Sequence, residues 1–127
     1  MLRGKCALWG RERWGHLDPG FLWIDREGFH QAFAADASPT EAAVMAAVQR
    51  PLSVASFTDK EGVPAWKMIP SWYLVCTDDH MIPPPAQELM AKRMGATVQS
   101  VSASHAPFVS HPQEVADIIA LAAASLA

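Results

Sequence analysis

The run Trp72-Tyr73-Leu74-Val75-Cys76 constrains the fold of this chain more than any other feature. It is apolar without alternation, so it predicts a strand covered on both faces, as in a parallel sheet, and central rather than exposed. Two parallel strands need a crossover between them, and the sequence supplies one. After Pro83-Pro84-Pro85, the residues Ala86, Leu89, Met90 and Met94 recur at helical spacing. Glu88 and Lys92 form a favourable i,i+4 pair and Gly95 supplies a stop, which predicts a helix over about residues 84–94. Residues 97–103 are β-prone. Ser110-His111-Pro112-Gln113 then reads as a capping box opening a last helix, with Val115, Ile118, Ile119 and Ala122 as its apolar stripe. The order strand, loop, helix, strand, loop, helix is that of an α/β fold with a parallel sheet and right-handed crossovers.

Earlier segments are less regular. Residues 20–33 suggest two short extended pieces around a turn at Glu27-Gly28. Ser38-Pro39-Thr40-Glu41 is a helix start, in which Ser38 caps, Pro39 fits the first helical position and Glu41 completes a capping box. An Ala-rich helix runs to about Gln49, Pro51 stops it, and residues 52–70 read as loop. Residues 1–20 mix glycines, tryptophans and charges without periodicity and are expected to be an irregular segment. The expected organisation is therefore an irregular 1–20, a segment 21–52 ending in a helix, and a βαβα portion over 53–127.

With 127 residues and a half-apolar composition, the chain has the material for one core. A formal net charge of −3 gives no general attraction to phosphate backbones or anionic bilayers, so neither nucleic acid nor membrane is expected as a partner. The sequence contains no apolar stretch of signal-peptide or membrane-span length, which makes a soluble, cytoplasmic protein the default expectation. Cys6 and Cys76 lie far apart, so no disulfide framework is indicated.

Ligands of parallel α/β sheets sit beyond the carboxyl ends of the strands. There the first strand runs into Thr77-Asp78-Asp79-His80 and the second into Ser104-His105-Ala106-Pro107. Neighbouring strands lie about 4.8 Å apart, so the two loops open onto one crevice and bring an acid beside a base. In that arrangement Asp79 fixes the tautomer of His105, and His105 takes a proton from a nucleophile and returns it to a leaving group. Asp78 competes for the acid role. Cys76, Asp78, Asp79 and His80 include metal-ligand types, but consecutive donors at a strand end point in different directions, so neither a metal nor another cofactor is expected. Cys76 reads as a small buried hydrophobe, His111 beside Pro112 as exposed at a helix start, and His16 and His30 have no partners in sequence. Trp66 and Trp72 read as core anchors, as do Phe21, Leu22, Trp23 and Met45 in preference to a pocket lining.

The run from Pro70 through Cys76-Thr77-Asp78-Asp79 to Pro83-Pro84 resembles the acid loop of α/β-hydrolases, in the branch of small esterases, plant methyl-ester esterases and hydroxynitrile lyases. Ser104-His105-Ala106-Pro107-Phe108-Val109-Ser110-His111-Pro112 is similar to that branch's histidine loop. Phe33-Ala34-Ala35-Asp36, continuing to Gln49-Arg50-Pro51, resembles the end of its lid and the return to the core. The resemblance covers about residues 20–126 and implies the C-terminal half of an α/β-hydrolase fold. It puts the family acid on Asp79 and the base on His105, and implies a carboxylic-ester hydrolase acting on a small ester. The sequence has no Gly-x-Ser-x-Gly elbow and no His-Gly-rich segment for an oxyanion hole, so a nucleophile upstream of Met1 is expected and the chain alone should be inactive. The alternative is a truncated, inactive hydrolase persisting as an interaction module, with a homodimer through an exposed sheet edge.

Overall fold

A parallel pair of strands forms the frame of the site. In the computed structural model, which describes residues 14–18 and 20–125, the elements are β1 (Trp14–Asp18), β2 (Phe21–Ile24), α1 (Arg26–Phe33), α2 (Pro39–Val48), β3 (Leu52–Ser53), β4 (Trp72–Cys76), α3 (Pro84–Met94), β5 (Thr97–Val101), α4 (Pro107–Ser110) and α5 (Pro112–Ala124). β4 and β5 pair in parallel from Trp72 opposite Thr97 to Cys76 opposite Val101. α3 is the crossover between them. It has Pro84 in its first turn, and it stops at Gly95, whose φ of 63° is the left-handed value that glycine adopts without strain.

The remaining strands form a separate antiparallel sheet in the order β1-β2-β3. Most of the segment 1–20, expected to be irregular, lies outside the described residues, but residues 14–18 are strand β1, paired with β2 from Trp14 opposite Ile24 to Asp18 opposite Phe21. The register slips between Gly15 and Asp18, and this irregularity removes the alternation that marks a strand in sequence.

The turn expected at Glu27-Gly28 is instead inside α1. Asp25 caps that helix by accepting the Glu27 N–H at 3.1 Å. Phe29, Ala32 and Phe33 share one face, Phe29 and Ala32 are buried, and the Phe29 and Phe33 rings lie 5.1 Å apart. Burying that face outweighs the roughly 1 kcal/mol that a helical glycine costs. α2 begins as expected: the Glu41 N–H reaches Ser38 Oγ at 3.2 Å and the Ser38 N–H reaches Glu41 Oε2 at 3.1 Å. The Gln49 amide then exchanges hydrogen bonds with the backbone of Ile24, at 3.1 and 2.9 Å, and ties the end of α2 to β2.

One core cluster gathers Ile24, Phe29, Ala32, Ala34, Ala42 and Ala46 with Met81 and Ala106, so α1 and α2 pack on the two loops that leave the parallel sheet. A second, smaller cluster joins Cys76, Val101 and Ala103. The expectation that β4 is central and covered on both faces does not hold. Its sheet has two strands among the described residues; Val75 and Cys76 are buried, while Trp72, Tyr73 and Leu74 are half-buried, and Val98 on β5 is 51% exposed.

Candidate active site

Beyond Cys76 the parallel ladder continues into the loops. The Thr77 N–H donates to the Val101 carbonyl at 2.9 Å and the Asp78 N–H to the Ala103 carbonyl at 3.1 Å. The two loops therefore leave the sheet side by side, and neighbouring acids go different ways. Asp78 is exposed and accepts the Ser102 hydroxyl at 2.5 Å. Asp79 turns inward and is 6% exposed.

Both carboxylate oxygens of Asp79 are used. Oδ1 accepts the backbone N–H groups of Met81 at 2.7 Å and Ile82 at 2.9 Å. Oδ2 accepts Gln87 Nε2 at 3.0 Å and His105 Nδ1 at 2.8 Å. Burial pushes the Asp79 carboxyl up, but the His105 hydrogen bond, the two N–H groups and the charge of His105 together outweigh it and hold the group below the usual carboxylate range. Asp79 is an anion at neutral pH and accepts from Nδ1, so the hydrogen bond selects the ring tautomer that has its N–H on Nδ1 and its lone pair on Nε2. The imidazole is 27% exposed against 4% for the Asp79 side chain, which leaves the ring reachable from outside while the carboxylate is not.

Gln87 was not singled out by sequence reasoning. It is buried on α3, and it accepts the Cys76 N–H at 3.0 Å through Oε1 while donating to the Ile82 carbonyl at 2.7 Å and to Asp79. A glutamine four residues before the buried Ala91 falls on the inward face of α3, and that polar break is the one signal the sequence offers. Phe33, like Asp36, reads in sequence only as part of a lid-end resemblance and not as a neighbour of the site; its ring meets the His105 imidazole edge-on, with centroids 4.8 Å apart. Asp36 binds the loop that carries His105. Its Oδ2 accepts the Ser104 N–H at 3.0 Å and the Ser110 hydroxyl at 2.7 Å, and its Oδ1 accepts the Ser104 hydroxyl. Burial raises the Asp36 carboxyl, but these hydrogen bonds prevail and lower it from 3.8 to about 2. Ser110 is the last residue of α4 with its hydroxyl donated to Asp36, and α5 starts at Pro112 after His111, not from the capping box read at Ser110.

The other titratable candidates are elsewhere. Burial, with the Asp79 and Asp36 charges behind it, raises the Cys76 thiol to about 11, so it stays protonated and unreactive at neutral pH. His80 Nδ1 lies 3.0 Å from the Gln31 carbonyl and His30 Nε2 3.0 Å from that of Ala37. His111 sits 3.6 Å from Asp36, while the side chain of His16 is outside the described ones. Among the described residues no three His, Cys, Asp or Glu side chains gather as a metal ion requires.

A family model described as the alpha/beta hydrolase family matches residues 4–118. The chain belongs to the alpha/beta hydrolase family. Among solved structures, this alpha/beta hydrolase chain is similar to polyneuridine aldehyde esterase, with a TM-score of 0.73 and 15% identity over 93% of this chain and 51% of that one. At that identity the likeness is one of fold. It is also similar to a pyrethroid hydrolase from Sphingobium faniae, with a TM-score of 0.66 and 26% identity over 87% of this chain and 46% of that one. A further pyrethroid hydrolase structure aligns at 28% identity and a TM-score of 0.64, over 85% of this chain and 45% of the other. The chain thus spans about half the length of the alpha/beta hydrolases it matches. Among proteins of curated function, none matches the sequence.

Proposed function

We propose that this chain carries the acid and the base of a Ser/Asp/His carboxylic-ester hydrolase, Asp79 and His105. One observation carries the reading: a buried, ionised Asp79 holds His105 Nδ1 at 2.8 Å while the rest of the imidazole faces outward. Nε2 takes the proton of a serine hydroxyl as that oxygen attacks the ester carbonyl. Asp79 stabilises the imidazolium so formed, and Nε2 then gives the proton to the departing alkoxide. Water repeats the sequence on the acyl-serine and releases the acid. The similar structures, named as an esterase and a pyrethroid hydrolase, support an ester as substrate.

The 127 residues hold no Gly-x-Ser-x-Gly, so the serine and the oxyanion-hole donors come from residues outside this sequence. Each such donor is worth about 3 kcal/mol of barrier, and the 127 residues alone should show no turnover. The test uses the protein as its source makes it, assayed on p-nitrophenyl acetate with and without His105→Ala. A fall of at least about 1,000-fold in kcat is expected. Unchanged turnover would refute the reading.

A second reading, an interaction module that dimerises through its parallel sheet, draws support from β5, which among the described residues pairs with β4 alone, and from its exposed Val98. A monomer in sedimentation equilibrium at high concentration would sink it.

A further inference from the structure

Asp79 fixes His105 through one ring nitrogen. A single hydrogen bond at Nδ1 sets the tautomer but leaves the ring free to tilt about that bond, and a tilt displaces Nε2 on the far side. The backbone that carries the ring must therefore be held by something else. Asp36, in the connection between α1 and α2, holds it.

The Asp36 carboxylate accepts the N–H and the hydroxyl of Ser104, immediately before His105, and the hydroxyl of Ser110 beyond it. One side chain thus grips the base-bearing loop on both sides. Ser110 Oγ lies 2.9 Å from His111 Nδ1, which extends the grip to the start of α5. Ser104 Oγ also lies 3.3 Å from the Phe33 carbonyl, and the Phe33 ring rests against the imidazole itself. Ala103, Ser104 and Ala106 are buried, so the clamp acts on the inner side of the loop.

We propose that Asp36 is a positioning residue for His105: by clamping Ser104 and Ser110 it sets where Nε2 stands, and it ties the α1–α2 segment to the base. The proposal rests on the reading of His105 as the general base. Displacing a reacting group by about 1 Å costs on the order of 100-fold in rate, so a loosened loop acts on kcat and leaves KM where it was.

The experiment compares Asp36→Ala, Asp36→Asn and Ser110→Ala in the protein as its source makes it. It reads kcat and KM on p-nitrophenyl acetate and the NMR resonances of the His105 ring, at a temperature where melting curves show each variant folded. Asp36→Ala is expected to lower kcat by about 10- to 100-fold with KM unchanged and to shift and broaden the His105 resonances. Asp36→Asn, which keeps one acceptor, is expected to fall between it and the parent. If Asp36→Ala does not fold, Ser110→Ala, which removes one of the grips, is expected to lower kcat by about 3- to 10-fold with the same change in resonances. Resonances that do not move, or a loss confined to KM, overturn the proposal. His105→Ala in the same assay separates the two claims: if it keeps full turnover, the functional reading fails, while the resonances still report whether Asp36 places the ring.

Discussion

Replacing Gln87 by leucine tests how the acid turn is built. The side chain is 3% exposed and serves the Cys76 N–H at 3.0 Å, the Ile82 carbonyl at 2.7 Å, Asp79 Oδ2 at 3.0 Å and, more weakly, the Cys76 carbonyl at 3.2 Å. Leucine fills a similar volume and satisfies none of them. Asp79 keeps His105 and two backbone donors, but the Cys76 N–H and the Ile82 carbonyl lose the partners described here. At about 1–3 kcal/mol for each buried group left unpaired, the loss is about 4 kcal/mol. The extra apolar burial returns about 1 kcal/mol. The net expectation is about 3 kcal/mol, a large part of the roughly 5–15 kcal/mol that holds an ordinary domain together. Urea unfolding followed by tryptophan fluorescence measures it, as a lower midpoint at unchanged slope. Gln87→Glu extends the test, because it sets a second carboxyl against Asp79 in a buried place. The introduced group's folded-state pKa is raised, so that variant's stability is present at low pH and lost as pH rises. A change below about 1 kcal/mol for Gln87→Leu would refute the reasoning, since it would mean that these groups find other partners at no cost.

Acid should weaken the Asp36 clamp. Its folded-state pKa is depressed from 3.8 to about 2, so its contribution is present above the unfolded value and is lost as pH falls through the folded one. The full shift corresponds to about 2.5 kcal/mol, which partial exposure reduces to about 1 kcal/mol; the difference in urea stability between the parent and Asp36→Asn should shrink by that amount between about pH 5.5 and about pH 2. Ser38→Ala removes the acceptor of the Glu41 N–H and should cost about 1 kcal/mol in the same assay. Gly95→Ala meets no neighbouring atom, so its cost of about 1 kcal/mol comes from the left-handed backbone alone, and Gly95→Asn should cost less.

The parts of the fold that were legible in sequence are those written locally. The Ser38 and Glu41 capping box, the stop at Gly95 and the apolar run of β4 each depend on residues a few positions apart, and each stands where it was expected. α1 was missed because Gly28 looks like a turn, whereas the burial of Phe29 and Ala32 that decides for helix depends on the core formed with α2. Ser110 was read as a cap because Gln113 follows at the right distance, but its hydroxyl is taken by Asp36, 74 residues earlier. No local pattern announces such a contact. The resemblance puts the acid on Asp79, but no local pattern separates it from Asp78. The choice turns on the ladder running past Cys76 to the Asp78 N–H, which leaves Asp78 with Ser102 and sends Asp79 to His105. The coverage expected for β4 failed for the opposite reason: its apolar run is evident, but what covers a strand lies elsewhere in sequence, and three of the five residues of β4 are only part-buried.

The most direct test of the account is kcat for ester hydrolysis by Asp79→Asn and Asp78→Asn, each in the protein as its source makes it. Both variants remove one negative charge from the same turn, so a general electrostatic effect would move them alike. Asp79→Asn should lower kcat by about 10,000-fold, because the amide cannot hold His105 in the required tautomer, while Asp78→Asn should stay within about twofold of the parent. Equal losses, or a loss confined to Asp78→Asn, would contradict the assignment of Asp79 and His105 as the acid and base of this site.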